Sequence, residues 1–260
     1  MKIVILGAGK MGLFMADTLC MDHDVAVYAR HPEKLRYCLN VRRFSTMEEI
    51  KEFDPDLLIN AVTIKNTFSA FEQVLPYLSP KCMLSDIASV KTGLPEFYAS
   101  CGHPFVSTHP MFGPTFANLS DLSQNYTVII KESDPMGKEF FREVYASLKL
   151  NIYDYTFEEH DKATAYSLSI PFVSTLAFTG VMTPQDAPGT TFKRHMAIAR
   201  GLLSEDDFLL TGILFNPNTA EQIDLISEHL AELSDIIKKH DSERLLAVIN
   251  QCRANIKDQK

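Results

Sequence analysis

Ile3-Val4-Ile5-Leu6-Gly7-Ala8-Gly9-Lys10-Met11-Gly12 is a short apolar run that breaks into glycines at the spacing G-x-G-x-x-G. An apolar strand running into such a turn brings backbone N–H groups and a helix N-terminus up to an anion with no side chain in the way, which is how a dinucleotide pyrophosphate is held. The glycines alone are a weak signal. Here a helical pattern follows at 12–21 and a second apolar run comes about twenty residues on, the context that the nucleotide fingerprint requires. Gly7, Ala8, Gly9, Lys10, Met11 and Gly12 are therefore expected to bind the cofactor.

Further apolar runs at 25–28, 57–62, 82–87, 105–108 and 126–130 are short and bounded by turn or polar residues, as strands buried on both faces should be. Helical stretches such as 67–78 lie between them. The spacing predicts an α/β fold, a doubly wound Rossmann-type parallel sheet over residues 1–156. From 157 the texture changes, and apolar residues recur at intervals of three and four through 166–178, 196–203, 208–215 and 223–249. Residues 157–260 are expected to form an all-helical domain, with loops at 183–189 and 216–218 where Pro and Gly punctuate the pattern.

Composition narrows the partners. A net charge of −8 with no long basic run argues against nucleic acid, whose phosphates need clustered Lys and Arg, and points to small molecules. The five cysteines are odd in number and show no C-x-x-C spacing, so neither a disulfide framework nor a metal site is expected, and a reducing cytoplasm is the simplest home. The apolar start is too short for a signal segment, and no run reaches the roughly 18 apolar residues of a membrane span.

The choice of nucleotide turns on the end of the second run, Val27-Tyr28-Ala29-Arg30-His31-Pro32. An acid there would accept the ribose 2′-hydroxyl and repel a 2′-phosphate; this chain has none, and the planar, permanently charged guanidinium of Arg30 suits a 2′-phosphate. NADP is favoured over NAD. The third run ends in Asn60-Ala61-Val62-Thr63, which places Ala61, Val62 and Thr63 beside the nicotinamide ribose.

Two later stretches carry more information: Ser85-Asp86-Ile87-Ala88-Ser89-Val90-Lys91-Thr92 and Ser107-Thr108-His109-Pro110-Met111-Phe112-Gly113-Pro114. His109 follows a strand, at the same carboxyl edge as the glycine turn, and is flanked by turn-fixing Pro110 and Gly113-Pro114. With these motifs, which fall within residues 7–114, the chain resembles the prephenate/arogenate dehydrogenase family of tyrosine biosynthesis. The resemblance implies oxidative decarboxylation of prephenate to 4-hydroxyphenylpyruvate with hydride transfer to NAD(P). It makes His109 the base that draws off the hydroxyl proton, a task matched to a neutral imidazole. It also makes Ser89 a hydrogen-bonding partner near the reacting hydroxyl and the cofactor, with the capping of a helix at Val90 as its structural alternative.

A dicarboxylate substrate needs fixed positive charge, and the family's substrate-binding arginine is best matched by Arg200, with Arg194 and His195 as neighbouring candidates. Where many members have a histidine ahead of an interdomain proline, this chain reads Leu168-Ser169-Ile170-Pro171, so Ser169 is expected to stand in. Plant arogenate enzymes carry an acid ahead of the histidine motif; residues 103–108 have none, which favours prephenate over arogenate. The resemblance further implies a homodimer through the helical domain, and no fused mutase or regulatory domain is expected. A β-hydroxyacid or imine-type dehydrogenase is the nearest rival, opposed by Tyr166 where a lysine-to-asparagine spacing from Lys162 would be needed. A non-catalytic nucleotide-binding module is the other alternative.

Overall fold

A computed structural model describes residues 1–113 and 117–257; Pro114 of the histidine motif lies outside them. Among the described residues eight strands form one sheet: Lys2–Leu6 (β1), Asp24–Tyr28 (β2), Arg42–Phe44 (β3), Leu57–Asn60 (β4), Met83–Asp86 (β5), Phe105–Pro110 (β6), Tyr126–Ile130 (β7) and Asn151–Tyr155 (β8). Their order is β3-β2-β1-β4-β5-β6-β7-β8. The chain reverses direction across the sheet at β1, the switch point at which doubly wound folds bind their ligands.

Helices cover both faces: Lys10–Leu19 (α1), Met47–Phe53 (α2), Thr67–Val74 (α3), Leu94–Ser100 (α4), Pro135–Ser147 (α5) and Phe157–Thr164 (α6). Alternate strand residues serve opposite layers. Ile3 and Ile5 pack with Met15 of α1 and with Phe141 and Tyr145 of α5, whereas Val4 and Leu6 share a core with Ile50, Phe71, Leu94 and Phe157. Burial on both faces is why β1 reads as an unbroken apolar run.

Two strands escape the sequence reading. β3 is three residues long, two of them exposed arginines, and β8 is Asn151–Tyr155 with a mostly exposed pattern, so neither writes the apolar run of a central strand. The sheet is also not wholly parallel, since β7 pairs antiparallel with β6 (Thr108↔Ile129, His109↔Val128), and β8 then runs parallel to β7.

The remaining helices are Ile170–Gly180 (α7), Thr190–Leu202 (α8), Asp207–Leu214 (α9), Thr219–Lys239 (α10) and Ser242–Lys257 (α11), with a π-helical turn at Ala165–Ser169 ahead of α7. The chain divides into two compact units, Met1–Thr164 with Leu203–Asn216, and Ala165–Leu202 with Pro217–Lys260. Helix α6, expected to open the second domain, is thus part of the first unit, where Phe157 is buried in its core. The segment holding α9 belongs there too. Asn216 donates from its side-chain amide to the Asp161 carbonyl (2.9 Å), Lys65 lies over the Phe208 ring at 4.2 Å, and a Cβ added at Gly212 would touch Ile64 and Val90. In the second unit, the single stripe read over 223–249 is two helices, separated at His240, whose left-handed backbone (φ 53°) caps α10. Among the described residues no helix is long and apolar enough to cross a membrane.

Candidate active site

Each glycine of the opening motif has a separate geometric duty. Gly7 turns the chain out of β1 at φ +107°, a backbone that L side chains rarely adopt, and an added Cβ would lie 2.9 Å from the Ala61 carbonyl oxygen. At Gly12 an added Cβ would fall 2.0 Å from the Gly7 carbonyl oxygen, so this glycine lets α1 lie directly on the turn. Gly9 is different, because nothing stands within 4 Å of where its Cβ would be. It precedes α1 without a side-chain cap, so no side chain of the turn occupies the start of that helix. A turn, a close contact and an unobstructed helix end are what a pyrophosphate requires, so these residues fit the cofactor that the motif implies.

Gly7, Ala8 and Gly9 line a cleft of about 820 Å³, partly open to solvent, together with Arg30, Ala61, Val62 and Thr63. The cleft therefore gathers the turn after β1, the end of β2 and the loop after β4. Sequence reasoning missed His31 and Lys34, which also line the cleft; Lys34 adds a second positive charge to that of Arg30. The loop after β4 is held by Asn60, whose buried amide donates to the Thr67 carbonyl (2.9 Å) and accepts from the Val62 N–H (3.3 Å). Lys10, Met11 and Gly12 lie on α1, and Ser89 lies half-buried on the loop after β5; none of the four is in the cleft's lining. The helix after that loop starts at Leu94 with Gly93 as its cap, so Ser89 does not cap a helix at Val90.

Strand register carries the edge across to the histidine. Leu6, Asn60, Asp86 and Ser107 stand side by side in β1, β4, β5 and β6, which places His109 two residues beyond that row. Three strand spacings of about 4.8 Å separate β1 from β6. Phe112, in the loop after His109, packs edge-on against Phe14 of α1 (ring centroids 5.7 Å apart) and ties that loop to the glycine-turn helix.

His109 is 4% exposed, and its Nδ1 lies 2.9 Å from Nε2 of His160, a residue of α6. The other nitrogen of His160, Nδ1, lies 3.1 Å from Oδ1 of Asp161. Beneath this row sits a buried ion pair. Lys91 donates to Asp86 and to the Thr108 carbonyl (2.7 Å), and Asp86 also accepts from the Tyr98 hydroxyl (2.8 Å) and the Ala88 N–H (3.0 Å). Burial pulls the Lys91 ammonium below its ordinary range, and Asp86 opposes that shift. Burial, with His160 and the Lys91 charge adding to it, holds the His109 imidazole well below the usual 6.5. His160 is also lowered, by burial first, against the raising effect of its bond to Asp161. The site thus presents a neutral imidazole that can accept a proton.

The other candidates belong to the second unit. Arg194, His195 and Arg200 are all exposed on α8, where His195 donates from Nδ1 to the Thr191 carbonyl (3.1 Å) and its ring packs on Phe178. Ser169 is fully buried, its hydroxyl hydrogen-bonded to that of Thr219 (2.8 Å). Sequence reasoning missed His160 and Asp161. Nothing local marks them, because His160 is 51 residues from its partner and acquires meaning only when α6 packs on β7 and β8 and its ring reaches His109 of β6.

The profile described as "Prephenate dehydrogenase, nucleotide-binding domain" matches residues 19–151, just over half of the chain. Among curated relatives, a protein of Methanocaldococcus jannaschii named probable arogenate/prephenate dehydrogenase is 22% identical over 211 residues, covering 75% of this chain and 47% of that one. The chain spans from 37% to 66% of the length of the curated relatives it matches. Among solved structures, prephenate dehydrogenase from A. aeolicus, in complex with hydroxyphenyl propionate and NAD+, superposes with a TM-score of 0.85 at 17% identity, covering 100% of this chain and 98% of that one. Synechocystis arogenate dehydrogenase gives 0.79 at 20% identity, with both chains covered in full. At these identities the likeness is one of fold.

Proposed function

The chain belongs to the prephenate dehydrogenase family, and we propose that it catalyses the NAD(P)-dependent oxidative decarboxylation of prephenate. The observation that carries this reading is the buried, neutral His109 at the sheet edge that also holds the glycine turn. The turn and its helix end hold the pyrophosphate, and Ala61 to Thr63 flank the nicotinamide ribose. When bound, the nicotinamide accepts hydride from the carbinol carbon of the substrate ring. His109 takes the hydroxyl proton as the carbonyl forms, and the ring carboxylate departs as carbon dioxide, leaving an aromatic ring. Ser89 supports the hydroxyl from the loop after β5.

Arg200 holds a substrate carboxylate, with Arg194 and His195 supplying further cationic or polar character on the same helix. Ser169 stands where many members have a histidine, and its hydroxyl, engaged with Thr219, brings no charge there. Arg30, with His31 and Lys34 beside it, favours NADP over NAD. Prephenate is preferred to arogenate, in keeping with the absence of an acid over residues 103–108. Exposed Leu225, Leu230, Ile237, Leu246 and Ile256 on α10 and α11 support a homodimer through these helices, and the five free cysteines suit a reducing cytoplasm. The test is the appearance of reduced nicotinamide on mixing the chain with prephenate or arogenate and each cofactor in turn. Prephenate with NADP should give the largest kcat/KM, and no absorbance change with either substrate would end the proposal.

A further inference from the structure

We propose that His160 and Asp161 are positioning residues that fix the tautomer of His109. The argument rests on the reading of His109 as the base, and it begins at the outer end of the row. A carboxylate only accepts hydrogen bonds, so at 3.1 Å the proton between Asp161 Oδ1 and His160 Nδ1 belongs to the imidazole. A neutral imidazole has one N–H, which leaves His160 Nε2 with a lone pair. His109 Nδ1, 2.9 Å from that lone pair, must then be the donor. The same rule leaves His109 Nε2 bare, so the nitrogen that does not face His160 is the one that can take a proton.

The competing arrangement has His160 doubly protonated and donating to His109, which would place the proton of His109 on Nε2 and block the base. It requires a cation on a ring that is 1% exposed. The charged groups facing the two rings are Lys91, Asp86 and Asp161. Lys91 opposes a cation at either ring, Asp86 is already paired with Lys91, and Asp161 alone cannot offset the burial. The neutral row is the arrangement that the site favours.

After proton uptake at Nε2, His109 is an imidazolium that still donates from Nδ1 to His160 Nε2, and release of the Nε2 proton to water once product has left restores the accepting tautomer. One proton enters and one leaves, with no change of oxidation state. The Asp161 side chain is 17% exposed against 1% for His160, which makes Asp161 the solvent end of the row.

Two-bond proton–nitrogen NMR spectra of the ¹⁵N-labelled full chain, with no substrate or cofactor added, report each tautomer directly; His109→Gln assigns the resonance. His109 should be neutral and protonated at Nδ1 at pH 7. Asp161→Ala and His160→Leu should mix its tautomers, and His160→Gln, whose carbonyl can accept from Nδ1, should restore the original one. In turnover, His160→Leu should lose about 10–100-fold in kcat with cofactor affinity unchanged, the usual scale for groups that orient a reacting ligand. His160→Gln should recover most of that loss, which a merely structural role would not allow. A wild-type His109 protonated at Nε2, or a tautomer indifferent to Asp161→Ala, overturns the proposal whatever the activity. The expected tautomers in a chain that turns over neither substrate would sink the substrate reading and leave the row intact.

Discussion

At the glycine turn, residues 7–12 supply the turn, the close contact and the helix start from one continuous stretch of backbone. The reacting end instead draws His109 from β6, His160 and Asp161 from α6, Lys91 from the loop before α4 and Asp86 from β5. In the turn, function is a matter of space: a Cβ at Gly12 would collide with Gly7, and the missing Cβ at Gly9 leaves the helix end open. At the reacting end it is a matter of protonation, set by burial and by neighbours distant in sequence. A contiguous backbone site is tolerant of side-chain charge but intolerant of added volume, and an assembled proton site behaves the opposite way.

The largest effect should come from the reacting end. His109→Asn should lower kcat by roughly 10²–10⁴, about 3–5 kcal/mol of barrier, while the dissociation constant of the cofactor stays within a few-fold. In the unmutated chain kcat/KM should fall as pH drops through the depressed His109 value, so the acid limb lies below the usual imidazole pKa of 6.5. Stability has the same sign. Between 6.5 and the lowered folded values of His109 and His160, the unfolded chain binds protons that the folded chain does not, so acidification in that window favours unfolding. A His109→Asn protein with unchanged turnover would dissolve the contrast between the two ends.

Next in size is the buried pair. Lys91→Met leaves the Asp86 carboxylate fully buried and should cost about 3–5 kcal/mol in denaturant unfolding, whereas Lys91→Met combined with Asp86→Asn should recover much of it. Equal losses in the single and double variants would mean that charge is not what this end depends on. At the turn, Gly12→Ala adds one methyl group and should destabilise by about 1–3 kcal/mol through overpacking, with weaker cofactor binding by calorimetry. Unchanged binding there would break the volume argument.

The smallest effect belongs to the wall of the cleft. Arg30→Asp should weaken NADP by roughly tenfold relative to NAD, with kcat on saturating cofactor unaltered. Titration of both cofactors against both proteins decides it, and a preference for NAD in the unmutated chain would assign Arg30 to ordinary surface charge.

How much of this was legible beforehand follows from the same contrast. The residues of 7–12 announce themselves because their duty is local, and the strand that leads into them is apolar from Ile3 to Leu6. His109 was legible through its turn residues and its place after a strand. The edge strands β3 and β8 were not, because a strand with one exposed face or only three residues lacks the apolar run, and the antiparallel turn into β7 depends on pairing partners rather than on composition. The second half read as helical, yet the return of 203–216 to the first unit rests on Asn216 and Gly212 meeting distant groups.

The sequence by itself determined the doubly wound sheet, the glycine turn, the strand-end place of His109, the proposed base, and the helical second half, because each is written in spacing along the chain. Tertiary structure alone decided which imidazole nitrogen of His109 is free and that Lys91 is buried against Asp86. Those outcomes depend on burial and on groups brought together from separate elements, and a proton's position follows from the neighbours that packing supplies.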